Sequence, residues 1–346
     1  MRTIKEQVCS FKNLYKAMWR CSHNVKWKRS VVKYLHNGLI NTYRLKKDIE
    51  DGSYKISGYT EITVHGPKER KVKAARFRDR QIQRSLCNTY VYNELTKHFI
   101  YDNHACQLYK GTDRARKRMK VHFRKAYLRY GPNAVAYVFD IHDFFGSTPH
   151  GVAKHIIDKH IRDKWARTMV EDVIDSFGPD KGIGLGSEIS QLVELSMLDG
   201  LDHYIKEELH IKYYERYMDD FVIIGDDREQ IKRYANLIKE RLRDIGLALN
   251  TKKSRLVPLK KGFRWLGFYY RLTNTGRTLV ILPNDKIKRM KRKLKKKLGL
   301  VKTGKITLES FKQGFKDWLS YANFGDNKDT IRRVGRYFNN LVREVE

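Results

Sequence analysis

Apolar residues along the chain fall into short runs and periodic stripes that predict a mixture of strands and helices. Val135–Phe139 (VAYVF) is a nearly continuous apolar run closed by Asp140, the pattern of a buried strand that ends in an acid. Ile211–Tyr217 and Phe221–Gly225 flank Met218-Asp219-Asp220 with no room for a long loop, which predicts a hairpin. Ile231, Tyr234, Ala235, Ile238, Leu242 and Ile245 then recur at helical spacing and stop at Gly246, predicting an amphipathic helix against a sheet. Gly262–Arg271 and Arg277–Leu282 read as two strands joined by the Asn274-Thr275-Gly276 turn, and Pro283 opens a different regime. Lys286–Lys297 (KIKRMKRKLKKK) reads as a helix with Ile287, Met290 and Leu294 on one side and cations on the rest. Upstream, the first hundred or so residues alternate basic helical stretches with one short extended segment, Tyr59–Val64. That segment leads into the positive loop of residues 65–71, where Gly66-Pro67 is turn chemistry. No internal repeat or low-complexity linker interrupts the series, so one continuous assembly is expected.

Charge narrows the class of partner. The 346 residues include 72 Lys and Arg against 39 Asp and Glu, a formal net charge of +33, with 41% hydrophobic residues. The apolar content suffices for a core, while the charge excludes a membrane-embedded chain. The 21 Tyr, 15 Phe and 5 Trp, spread through periodic runs, argue against disorder. A self-repulsion of this size is tolerable where a polyanion is the normal partner, meaning nucleic acid or an acidic membrane surface. The basic helix at Lys286–Lys297 is then better read as tracking phosphates than as a solvated face. The N-terminal stretch has no apolar run of signal-peptide length, and no uncharged apolar run reaches the ~18 residues of a membrane span. Neither secretion nor membrane spanning is expected. Cys9, Cys21, Cys87 and Cys106 lack zinc-site spacing and disulfide density, so they are expected as reduced thiols in a cytoplasmic protein.

Two places put carboxylates where a strand has just ended: Asp140, and Asp219-Asp220 at the hairpin tip. Adjacent aspartates in a tight turn are costly unless a cation sits between them and a third acid, as two-metal phosphoryl transfer requires. On that reading Asp140 and Asp219 bridge two Mg²⁺ ions, with Mn²⁺ able to substitute. Oxygen-only ligands favour magnesium over zinc. The alternative is a solvent-facing turn that happens to carry two acids.

Around these acids the chain resembles the reverse transcriptases. Tyr217-Met218-Asp219-Asp220 is the YMDD signature of that family, and the motif order agrees from roughly residue 11 to 325. Phe77–Gln83 (FRDRQIQ) resembles the fingers motif, and Ala105-Cys106-Gln107 with Lys110-Gly111-Thr112 the segment after it. Asp140–Phe145 (DIHDFF) resembles the first catalytic motif. Leu247–Asn250 followed by Lys252-Lys253-Ser254 resembles the motif after the catalytic hairpin, and Trp265-Leu266-Gly267-Phe268 the primer grip. The resemblance implies that Asp140, Asp219 and Asp220 are catalytic, with Asp140, Ile141, Asp219 and Asp220 at the metals. It implies that Phe145 is an aromatic gate against a 2′-hydroxyl, and that Lys68 and Arg70 contact the triphosphate of the incoming dNTP. Arg80 fits either that task or a structural ion pair with Asp79. Lys253 matches a position proposed to protonate pyrophosphate, and a basic residue on the duplex side would look the same. Lys286, Arg289, Lys293 and Lys297 are the candidate nucleic-acid contacts of the basic helix.

Gly182–Gln191 (GIGLGSEISQ) departs from the Gln-Gly that group II intron and retroviral enzymes usually carry where this chain has Leu185-Gly186. It resembles the form typical of diversity-generating retroelement reverse transcriptases, which copy a template-repeat RNA with frequent errors opposite adenine. Residues 13–17, 51–54 and 318–321 also resemble that group, and no maturase, endonuclease or RNase H region is recognisable. Leu185, Gly186 and Gln191 are then dNTP-site residues. A leucine at 185 loses the hydrogen bond a glutamine could make, and lost polar contacts weaken discrimination. The expected fold is α+β: a right-hand polymerase with fingers (1–133), a ferredoxin-like antiparallel palm (134–282) and a helical basic thumb (283–346). Its expected partners are an RNA template, a DNA or RNA primer and dNTPs. The resemblance adds a structured non-coding RNA and a small basic helical-bundle accessory protein. A stand-alone phage-defence enzyme is the alternative within the class, and a non-catalytic RNA-binding scaffold or chaperone the alternative outside it. Three retained acids beside a polyanion speak against the scaffold.

Overall fold

The computed structural model describes residues 2–65 and 69–346, apart from the Arg70 side chain. The N-terminal part comprises α1 (Ile4–Val8), α2 (Phe11–Ser22), α3 (Arg29–His36), α4 (Gly38–Glu50), β1 (Tyr59–Val64), β2 (Arg70–Ala75), α5 (Phe77–Leu86), α6 (Tyr92–Thr96) and α7 (Thr112–Tyr130). Next come β3 (Val135–Asp140), α8 (Phe144–Ser147), α9 (His150–His160), α10 (Lys164–Asp175), α11 (Glu188–Met197), α12 (Asp199–His203), β4 (Tyr213–Tyr217), β5 (Asp220–Gly225) and α13 (Arg228–Asp244). Last are β6 (Arg255–Pro258), β7 (Phe263–Trp265), β8 (Phe268–Leu272), β9 (Thr278–Ile281), α14 (Asn284–Lys302), α15 (Leu308–Ala322) and α16 (Lys328–Arg343). They gather into two compact units: Met1–Gly111, Phe139–Phe221 and Arg233–Ser254 in one, Thr112–Val138, Val222–Lys232 and Arg255–Glu346 in the other.

The strands form a β1-β2 pair, a four-stranded sheet in the order β4-β5-β3-β6, and a three-stranded sheet β7-β8-β9. In the four-stranded sheet the chain runs strand, helices, strand, strand, helix, strand, with the first and third of these strands at the centre. That is the ferredoxin-like split βαβ arrangement of an α+β fold. A continuous apolar run and a period-3.6 stripe mark two of these elements in the sequence. β3 has both ends buried, and α13 buries Ile231, Ala235, Ile238 and Leu242 on one face.

In the first unit α2 starts at Ser10, whose hydroxyl accepts from the Asn13 N–H, and buries Leu14, Ala17, Met18 and Cys21. Gly38, opening α4, lets the helices close: a Cβ there would lie 2.9 Å from Met18 Cε. Gln81 of α5 is fully buried and donates to the Leu14 carbonyl (3.0 Å) and Thr42 Oγ1 (2.9 Å). Asp79 is also buried, and it accepts from the Ser57 N–H (2.9 Å) and the Tyr54 hydroxyl (3.1 Å) rather than pairing with Arg80. Arg80 donates instead to the Cys21 carbonyl at 3.1 Å, so the ion pair entertained for it is replaced by a backbone contact. In the second unit, Met290, Leu294 and Leu298 of α14 form a core with Phe311, Phe315, Val334, Phe338, Leu341 and Val342.

Two expectations are corrected. Gly262–Arg271 is not one strand: Leu266 and Gly267 take φ of 42° and 91°, and Trp265 pairs directly with Phe268, so a two-residue turn folds the segment into β7 and β8. The buried set accordingly shifts phase, from Phe263 and Trp265 to Phe268, Tyr270 and Leu272. The positive loop is also shorter than residues 65–71, because Arg70 and Lys71 already belong to β2, paired with Val64 and Thr63. All four cysteines are free thiols. Among the described residues no helix is long and apolar enough to cross a membrane.

Candidate functional site

The candidate site lies in the first unit, where β3 ends at Asp140. Beyond the strand, residues 247–250 continue the pairing. The His142 N–H donates to the Ala248 carbonyl (2.8 Å) and the Asn250 N–H to the Asp140 carbonyl (2.7 Å). Ile141 faces Leu249 in this wide pair, which turns its own carbonyl to the opposite side. The chain then turns at Asn250, whose carbonyl accepts from the N–H groups of Lys253 (3.1 Å) and Ser254 (2.8 Å). This turn delivers the Lys253 ammonium onto Asp140 Oδ2 in a close ion pair. The Asp140 N–H in turn donates to Ser254 Oγ at 3.2 Å.

Asp219 is reached by a left-handed Met218, φ 55°, at the β4-β5 hairpin. The Met218 carbonyl accepts from Arg216 Nη1 at 3.3 Å. Arg216 is fully buried and forked onto Asp202, with Nε to Oδ1 at 2.8 Å and Nη2 to Oδ2 at 2.6 Å. It also donates to the Leu195 carbonyl, and the Tyr214 hydroxyl donates to Asp202 Oδ1 at 2.5 Å. A satisfied buried ion pair thus anchors the turn from behind. Sequence reading missed it, although a Glu215-Arg216 pair inside an otherwise apolar strand was a usable signal, since buried charges need partners.

Asp140, Ile141, Asp143, Phe145, Leu185, Asp219, Asn250 and Lys253 line one cavity of about 480 Å³ together with Lys71 of β2. An adjoining cavity of about 280 Å³ shares Lys71, Asp143, Phe145 and Leu185. The Asp220 carboxyl is pushed up to about 7, first by burial and then by the negative charges of Asp219 and Asp140, with Lys253 pulling the other way. Behind Asp219, the buried Glu194 carboxyl is held well above the usual carboxylate range by burial, and Thr148 Oγ1 lies 2.9 Å from each of its oxygens. The same hydroxyl is within donating distance of the Phe144 carbonyl, at 2.9 Å. Glu194 was not singled out from the sequence, where an isolated acid carries no pattern, and Asp143 and Lys71 lay inside segments read there without a role of their own.

Other candidates separate from the cavity. Lys68 lies outside the described residues, as does the Arg70 side chain. Gly186 takes φ 118° against β2, where a Cβ would lie 3.2 Å from the Lys73 carbonyl oxygen. Gln191 on α11 accepts from the Cys106 thiol at 3.3 Å, and that sulfur lies 4.0 Å from Met218 Sδ. Phe145 is tied to the same region by its carbonyl, which accepts from the Ile183 N–H at 2.7 Å.

In the second unit, the Leu266-Gly267 turn is held at both carbonyls. Arg116 donates to Leu266 through Nε (3.1 Å) and Nη2 (2.9 Å), and the Tyr321 hydroxyl donates to Gly267 at 3.2 Å. Trp265 and Phe268 are buried, with the Arg116 guanidinium 5.1 Å from the Phe268 ring centre. Of the basic-helix candidates, Lys286 donates to the Tyr321 hydroxyl (2.8 Å) and Lys297 lies over Gly314, whereas Arg289 and Lys293 are exposed.

The hard-oxygen donor set suits a divalent cation: Asp140, Ile141 and Asp219 line one cavity, and burial together with the charges of Asp219 and Asp140 raises Asp220. Among the described residues, no three such side chains close into a preformed metal cage. The sequence of residues 68–270 matches the model of the reverse transcriptase (RNA-dependent DNA polymerase) family. No curated protein matches the chain. Among solved structures, the chain is similar to telomerase from Candida albicans in complex with a fragment of telomeric RNA, with 11% identity and a TM-score of 0.53 over 90% of this chain and 60% of that one. Apo telomerase from Candida tropicalis is a weaker likeness, with 11% identity and a TM-score of 0.44 over 70% of this chain and 53% of that one. The former shares the fold, and this chain spans little more than half the length of either telomerase.

Proposed function

This chain belongs to the family of reverse transcriptases, the RNA-dependent DNA polymerases, and we propose that it extends a DNA or RNA primer on an RNA template with dNTPs. The observation that carries the reading is the convergence of Asp140, Ile141, Asp219 and Lys253 on one cavity, with Asp219 following a turn anchored by Arg216. Asp140, Asp219 and Ile141 would hold Mg²⁺, or Mn²⁺ in its place, with Asp220 as the third acid. When bound, the metal supplies neutralising charge at the transferring phosphoryl group and lowers the pKa of the attacking hydroxyl. Lys253, already on Asp140, would give a proton to the departing pyrophosphate. The Phe145 ring at the cavity wall would meet a 2′-hydroxyl and favour deoxynucleotides. Lys71 adds a cation to the same wall, beside the Lys68 and Arg70 expected at the triphosphate.

The division of labour follows the family pattern: fingers over 1–133, palm over 134–282 and thumb over 283–346, with Trp265–Phe268 gripping the primer and Lys286, Arg289, Lys293 and Lys297 on the nucleic-acid side. Within the family, we read the chain as the error-prone enzyme of a diversity-generating retroelement. It would act in the cytoplasm with a structured non-coding RNA and a basic helical-bundle accessory protein. Leu185 supports this reading, because it lines both cavities beside Phe145 and offers no hydrogen bond to an incoming base or sugar. A stand-alone defence-type enzyme is the competing reading.

The test is primer extension on a defined RNA template with Mg²⁺ and four dNTPs, against an Asp219→Ala/Asp220→Ala control, followed by deep sequencing of the cDNA. The expected result is cDNA that the control loses by more than about 1,000-fold, with errors concentrated at template adenines. Leu185→Gln is expected to lower that error rate. Accurate cDNA would favour the defence-type reading, and unchanged errors in Leu185→Gln would remove Leu185 from the account.

A further inference from the structure

Residues 11–47 contain ten Lys and Arg and no Asp or Glu. They build α2, α3 and α4 of the first unit, and none of them is among the residues assigned above to catalysis or nucleotide binding. The apolar face of α2 is already spent on the core, yet the helix carries an aromatic ladder at its margin. Phe11, Tyr15 and Trp19 recur every four residues, with ring centres 5.8 and 6.1 Å apart. Trp19 is 44% exposed, and Trp27, in the α2–α3 connection, is 78% exposed. Trp27 satisfies its own polar atom by donating Nε1–H to the Asn24 carbonyl at 3.1 Å, which leaves the indole faces for something else. Each indole has a lysine over it, Lys26 at 5.0 Å from Trp19 and Lys28 at 5.4 Å from Trp27.

An exposed cation–π contact offsets only part of the cost of leaving an indole in water. A partner that offers flat rings to the indoles and anions to the lysines satisfies both at once. Lys28 also lines a cavity of about 720 Å³ together with Arg76, Arg78 and Arg80, and no carboxylate residue lines it. Lipid headgroups would meet the cations, but a membrane-seated helix needs a free aliphatic face, and that of α2 is buried. Duplex nucleic acid would meet the cations but hides its base faces.

We propose that the corner formed by α2 and the α2–α3 connection is a second nucleic-acid site. It takes an unpaired RNA segment, with bases stacked on Trp19 and Trp27 and phosphates on Lys26 and Lys28. The site needs no catalysis, so it stands or falls separately from the polymerase reading.

Binding of a labelled, unstructured RNA of about 12 nucleotides, without primer or dNTP, is measured by fluorescence anisotropy on the full chain. Trp19→Ala/Trp27→Ala is expected to weaken binding at least about 10-fold, while Trp19→Phe/Trp27→Phe stays within about 3-fold of the parent because stacking tolerates any aromatic ring. Extension of a short pre-annealed primer–template is expected to be unchanged in both variants. Lengthening the 5′ overhang of that template identifies the source. An affinity gain that vanishes in the alanine variant assigns the site to the unpaired template, and loss confined to free RNA assigns it to a separate strand. Equal RNA affinity in parent and alanine variant would overturn the proposal. So would a variant that loses only its sedimentation with phosphatidylserine vesicles. Should thermal melting reveal a folding defect in the double variant, Trp27→Ala and Lys26→Gln/Lys28→Gln are read by the same assay with the same expectation.

Discussion

Two groups of charge sit a few residues apart around the β4-β5 hairpin, and they are handled in opposite ways. Arg216 and Asp202 are both fully buried, yet every strong demand is met: a two-point ion pair, the Tyr214 hydroxyl on the acid, and the Leu195 and Met218 carbonyls on the guanidinium. Asp140, Asp219 and Asp220 are left with an excess of negative charge, and burial, followed by the charges of Asp219 and Asp140, pushes the Asp220 carboxyl up to about 7. Low polarity strengthens both the attraction in the first group and the repulsion in the second. Where charge is balanced the arrangement is scaffold. Where it is left unbalanced beside a cavity, it is the negative charge that the proposed divalent cation would neutralise, and the balanced group fixes the turn that carries Asp219 and Asp220.

The contrast is most exposed to failure at its balanced side. Arg216→Met leaves Asp202 as a buried acid without its cation and is expected to cost about 3–5 kcal/mol of stability. Asp202→Leu/Arg216→Met removes both charges and is expected to cost less than the single change, as read by urea unfolding. A single change that costs under about 1 kcal/mol would mean that the pair is not holding the turn.

Lys253→Met tests the unbalanced side through the cation paired with Asp140. Extension is expected to fall about 10–100-fold, with a smaller loss on a dNTP analogue whose pyrophosphate leaving group is more acidic and needs a proton less. An equal loss on both nucleotides would make Lys253 a positioning residue for Asp140 instead.

The smallest effect concerns Asp220. Its folded pKa, about 7, is raised above the ordinary value of 3.8, so its contribution to stability is fully present below pH 4 and is lost as pH rises through 7. In metal-free buffer with chelator, the melting temperature of the parent is therefore expected to decline from pH 5 to 8 relative to Asp220→Asn, which has no proton to lose. Parallel melting curves would show that the three acids are not coupled.

Much of the scaffold was readable from spacing. The Val135–Phe139 run became β3, the 231–245 stripe became α13, and the extended segment Tyr59–Val64 became β1 with the same ends. The Gly262–Arg271 segment misled because both halves alternate in polarity, and only the paired positive φ of Leu266 and Gly267 reveals the turn between them. Within the site, the acid-bearing motifs stood out because adjacent aspartates in a turn are costly and therefore informative. Arg116 did not, because an arginine in a basic helix looks solvated until its guanidinium is found on the Leu266 carbonyl. Glu194 did not either, since its meaning lies in Thr148, 46 residues away in sequence.

What the sequence determined by itself was the alternation and periodicity of its apolar residues, the excess of positive charge, and the local chemistry of the strand-end acids, all properties of neighbours along the chain. What only the tertiary structure decided was which charges are cancelled and which are not. The field at a carboxylate is set by groups brought near it through space. Asp202 comes to Arg216 from α12, and Lys253 comes to Asp140 from the turn after residue 250.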